Sequence, residues 1–108
     1  MRQAIPALLA RASVTVDSFK PQEVANLMWA LATLGVEPGA ELVTAMSRRA
    51  VASAGEFKPQ NVANLMWALA TLGVEPGAEL ATAMSRRTVA IFVHYVECIF
   101  FVFGHLIL

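Results

Sequence analysis

The sequence predicts an all-α protein: an α-solenoid of stacked helical hairpins in 38-residue repeats, ending in a hydrophobic C-terminal segment. Three observations predict it. Residues 19–52 and 57–90 are near copies that differ only at Glu23/Asn61, Val43/Ala81 and Ala50/Thr88. Their 38-residue spacing falls among units that bury an apolar face only by stacking on a neighbour. Within each copy, apolar residues recur at three- and four-residue steps, the period of a helix.

Each element of the hairpin follows from its residues. Pro21 suits a first helical position, where its missing N–H has no partner to lose. Val24, Leu27, Met28, Leu31 and Leu34 line one face of the first helix. Gly35 is placed to end it in the left-handed conformation, with Val36 reaching back to Leu31. Pro38 is expected to start the second helix, with Glu37 and Glu41 near its positive end and Arg48 and Arg49 near its negative end. Gly55 is expected to stop it before Phe57 opens the next unit. Two helices joined by short turns make an antiparallel hairpin.

The boundaries divide the chain into residues 1–18, repeat 1 at 19–56, repeat 2 at 57–90, and a tail at 91–108. Shifted by 38, Leu8 aligns with Met46 and Arg11-Ala12 with Arg49-Ala50. Residues 4–16 therefore read as the second helix of a preceding, partial repeat. The alternative is a transit-peptide-like segment, since Arg2 and Arg11 precede any acid and the composition is rich in Ala, Leu and Ser. In residues 89–108 only His94, Glu97, Gly104 and His105 are not apolar. Twenty helical residues span about 30 Å, the depth of a hydrocarbon core. A membrane anchor, a cap on the open end of the stack and non-native sequence are the three readings of this tail.

The function classes are narrowed by what the chain carries. Eight Lys+Arg balance eight Asp+Glu, so no global basic field announces a nucleic acid. The single cysteine, Cys98, excludes an internal disulfide framework. No Ser/His/Asp arrangement, carboxylate pair or phosphate-cradling glycine loop is present, so catalysis is not expected. His94, Cys98 and His105 share a helical stripe, but the outer pair lie about 16 Å apart at helical rise. No metal site, cofactor or small-molecule substrate is expected.

What remains is a binding surface. Glu23, Asn26, Ala30 and Thr33 form a narrow strip, repeated as Asn61, Asn64, Ala68 and Thr71, and the two strips are expected side by side on one outer face. Lys20 and Lys58 lie where helix N-termini offer free N–H groups to phosphate. Asn26 and Asn64 carry carboxamides able to bond a base edge or a neighbouring repeat. Glu23/Asn61 varies on a constant scaffold, as in readers that take one base per repeat. Arg48, Arg49, Arg86 and Arg87 supply a basic pair per unit. Phe19, Trp29, Phe57 and Trp67 could stack on bases, but Trp29 lies on an already apolar helix and is assigned with them to the core between repeats.

The phrase FKPQ-x-VANLMWALATLG, present twice, resembles the octotricopeptide repeat, and is similar to the repeats of FAST-kinase-like and RAP-domain proteins. Pro21, Gln22, Asn26, Trp29, Ala30, Leu31 and Gly35 match that signature, as do Pro59, Gln60, Asn64, Trp67, Ala68, Leu69 and Gly73. The resemblance implies a solenoid that binds single-stranded RNA in mitochondria or chloroplasts and acts in transcript processing or stability, alongside other RNA-metabolism proteins. The alternative expectation is a protein–protein scaffold, membrane-anchored if the tail inserts.

Overall fold

A computed structural model describes residues 4–107, with side chains as far as His94. Five helices carry the fold: α1 Ile5–Thr15, α2 Pro21–Leu34, α3 Ala40–Ala52, α4 Pro59–Leu72 and α5 Gly77–Ile107. Short 3-10 turns, Val16–Ser18 and Ala54–Glu56, lead into α2 and α4. Among the described residues there is no strand.

The chain packs in two layers. α2 lies chiefly against α4, and α3 lies between α1 and α5. The longest dimension is 64 Å against 23 Å for the other two, because α5 runs for 31 residues, about 46 Å at helical rise. Met28, Leu42, Met46, Phe57, Leu65, Leu69 and Leu80 fill the interior.

The helix ends follow local chemistry. Lys20 and Lys58 are held extended, as residues before proline must be. Gly35 is left-handed at φ 70°. Its N–H reaches the Ala32 carbonyl at 3.2 Å while Val36 N–H reaches Leu31 at 2.9 Å, which is the expected Schellman stop. Gly73 and Val74 repeat it on Ala70 and Leu69.

Two expected ends move. Pro38 is buried in the linker, and α3 begins at Ala40 after Gly39, whose φ of 82° only glycine adopts without strain. Gly55 does not stop α3 either. Ser53 does: its N–H and its Oγ–H both bond the Arg49 carbonyl, at 3.0 and 2.8 Å.

The larger correction concerns the polar strips, which share an outer face only in part. Glu23 and Asn26 are exposed on α2, but their counterparts on α4 turn inward: Asn61 is buried, Asn64 half-buried and Ala68 wholly covered. Pro21, Ala25 and Ala32 show the reverse, buried on α2 while Pro59, Ala63 and Ala70 are exposed on α4. Asn61 and Ala68 are covered on the α2 side of α4, whereas Thr71 stays exposed, as Glu23, Asn26 and Thr33 do on α2.

Trp29 and Trp67 also correct their assignment. They are 46% and 49% exposed, so they are not core residues, whereas Phe57 is fully buried and Phe19 packs against the core. Among the described residues no helix is long and apolar enough to cross a membrane, so the transmembrane reading of 89–108 is without support there. Its side chains beyond His94, including Cys98 and His105, lie outside the described residues.

Candidate functional site

The surface both helices share is the one neither uses for packing. Gln22, Asn26, Trp29 and Thr33 succeed one another at steps of four, three and four, which sets them on one helical face. All four are exposed. Gln60, Asn64, Trp67 and Thr71 repeat the row, with only Asn64 half-buried. At its centre the indoles of Trp29 and Trp67 lie 6.5 Å apart between centroids, tilted by 35°. That geometry is within the range of attractive aromatic pairs, and it leaves ring surface facing solvent.

A cleft of about 510 Å³ opens at the N-terminal end of this row, lined by Lys20, Gln22, Arg49, Glu56, Lys58 and Asn61 among others. Because α2 and α4 are parallel copies, their N-termini meet here and bring Lys20 and Lys58 together. Unbonded helix N–H groups and the positive dipole ends add to the cationic character.

The predicted residues divide by what they touch. Lys20 and Lys58 are exposed at the cleft. Glu23 and Asn61 cap their own helices: Glu23 Oε1 accepts from Lys20 N–H at 3.0 Å and Asn61 Oδ1 from Lys58 N–H at 3.0 Å. Lysine has no acceptor, so this is the reciprocal half of a capping box alone. Asn61 still lines the cleft, where its amide N–H groups are available. Asn26 and Asn64 belong to the tryptophan row.

The basic pairs split. Arg49 Nε donates to the Phe19 carbonyl at 2.6 Å, and Arg87 Nε to the Phe57 carbonyl at 2.7 Å. Each clasps the entry of its own repeat. Arg48 pairs with Asp17 at 3.3 Å, both more than 60% exposed and so screened by solvent. Arg48 and Arg86 line clefts between α3 and α5, away from Lys20 and Lys58. The ten residues therefore do not form one site. Lys20, Lys58, Asn61 and Arg49 converge, and the rest do not.

The tryptophan row was missed in the sequence because Trp29 is flanked by Met28 and Ala30. The usable signal was its helical neighbours: Gln22, Asn26 and Thr33 put Trp29 on the polar face.

The family model described as "Tbc2 translation factor, N-terminal domain" matches residues 1–93. The chain belongs to this family. The match overturns the resemblance to octotricopeptide, FAST-kinase-like and RAP-domain repeats, and with it the assignment to organellar transcript processing or stability. It gives no better support to the protein–protein scaffold. No curated protein and no solved structure matches the chain.

Proposed function

We propose that this chain is a non-catalytic binding module of a translation factor, working through the tryptophan row and the cationic cleft at its end. The family match supports the translation role. The single observation that carries the surface is the half-exposed Trp29–Trp67 pair, aligned with paired carboxamides and leading to Lys20 and Lys58. Aromatic faces beside cations are what a single-stranded nucleic acid uses, bases on rings and phosphates on lysines, so single-stranded RNA is the partner this surface suits. The finer architecture belongs to the same reading. A solenoid, with α1 as the second helix of a partial repeat, is supported by α1 lying on α3 as α3 lies on α5.

A titration of the intact chain with an RNA oligonucleotide, followed by tryptophan fluorescence, tests this. Binding is expected to quench the emission. Affinity should fall roughly twentyfold from about 50 to 200 mM salt if some three phosphates are neutralised. Trp67→Ala should weaken binding by roughly 5- to 150-fold, the range for one lost stacking contact. Unchanged emission at low salt, with no binding by an independent assay, defeats the proposal.

A further inference from the structure

The cleft at the N-terminal end of the tryptophan row holds a donor that no protein group uses. Asn61 is 9% exposed, and its Oδ1 accepts from Lys58 N–H at 3.0 Å. An N–H can donate only to the oxygen, so this bond fixes the amide and turns Nδ2, with its two hydrogens, the other way. Every buried side-chain nitrogen and oxygen among the described residues has a partner. Nδ2 has none among them and therefore reaches solvent, through the cleft that Asn61 lines.

The neighbours of that donor set the sign of the ligand. Lys20 and Lys58 are exposed at the cleft, and Arg49 lines it half-buried. Arg49 spends only Nε on the Phe19 carbonyl, which leaves its charge and its terminal N–H groups. Glu56 is the opposing acid; it is exposed and forms no ion pair among the described residues. Three cations against one carboxylate leave two positive charges in excess. The helix bonds of α2 begin at Val24 N–H, so Gln22 N–H, also at the cleft, has no acceptor within its helix.

A dianion suits this set better than a monoanion does. An internal phosphodiester brings one charge and two free oxygens, whereas a phosphate monoester brings up to two charges and three oxygens. The cleft also lies beside Gln22, the first member of the tryptophan row, where a strand stacked on the indoles has room for its terminus. The two repeats show what admits the anion. Glu23 and Asn61 hold the same position and cap their helices at the same 3.0 Å. The glutamate keeps a second carboxylate oxygen, and only the asparagine leaves a donor.

We infer, on the basis of the RNA-binding reading of this surface, that the cleft seats a terminal phosphate monoester of the strand and that Asn61 is the residue that admits it.

The test is a titration of the intact 108-residue chain with an internally labelled oligoribonucleotide in three forms: both ends hydroxyl, 5′-phosphate and 3′-phosphate. A phosphate at one end should tighten binding about tenfold, as charged hydrogen bonds do, and at the other end less than about threefold. Asn61→Asp keeps the capping oxygen and puts a carboxylate oxygen in place of the free amide. It should erase the gain while the hydroxyl form binds within about threefold of the parent. Its urea midpoint should not fall, because a carboxylate in the first turn suits the positive end of α4. Glu23→Asn, which does not line the cleft, should leave the gain intact. No gain at either end, an equal gain at both, a gain that survives Asn61→Asp or one lost with Glu23→Asn overturns the inference and leaves the RNA reading standing. A nucleoside monophosphate that competes as well as the phosphorylated strand would assign the cleft to a free nucleotide and overturn it too. Failure of every form to bind defeats the RNA reading itself, and the inference with it.

Discussion

α2 and α4 differ at one residue in fourteen, Glu23 against Asn61, yet they bury opposite sides. α2 hides Pro21, Ala25 and Ala32, and α4 hides Asn61, Leu65 and Ala68. Only Leu31 and Leu69 are buried in both. The difference teaches that each helix owns two packing faces and that the side on which its neighbour lies decides which is used. The tryptophan row belongs to neither face, which is why it stays half-exposed in both copies. Among the described residues it is a surface that α2 and α4 both leave open.

Paired substitutions can break this comparison. The largest difference is expected between Ala25→Arg and Ala63→Arg. The first forces a charge into the α2–α4 contact and should cost about 3 kcal/mol or more. The second sits in solvent and should stay within about 0.5 kcal/mol. Equal urea midpoints for the two would mean that α2 and α4 do not pack as described.

A smaller contrast is expected between the leucines of one sequence position. Leu65 is fully buried and Leu27 only partly. Leu65→Ala should lose about 2–5 kcal/mol, and Leu27→Ala roughly 1 kcal/mol because less apolar area leaves water. Chemical denaturation of the two variants gives the ratio directly, and a reversed order would place the open end on the wrong side of α2.

The smallest effect separates adjacent arginines. Arg49→Met removes a charged donor from the Phe19 carbonyl and should cost about 1.5 kcal/mol. Arg48→Met removes an exposed ion pair and should cost less than about 1 kcal/mol, with that loss vanishing in high salt. Similar salt-independent losses would show that Arg48 does more than meet Asp17.

Much of the fold was legible because local rules act within a few residues. Pro21 and Pro59 at helix starts, Gly35 and Gly73 at helix ends, and the 3.6-residue period of Val24 to Leu34 all placed elements where the structure has them. Pro38 and Gly55 misled because proline and glycine mark a break without saying which neighbour completes it. There Gly39 and Ser53 supply the left-handed turn and the backbone cap. The site was less legible. Its lysines were visible as N-terminal cations, whereas Trp29 and Trp67 were assigned inward on the apolar character of their sequence neighbours.

By itself the sequence determined the helices and their period, since hydrogen bonding and side-chain spacing within one turn need no partner. Only the tertiary structure decided which polar strip was covered, which arginine clasped a carbonyl and where the indoles met. Two almost identical helices cannot encode different burial. That comes from the position each one holds among the other helices, where one flank meets a neighbour and the other meets water.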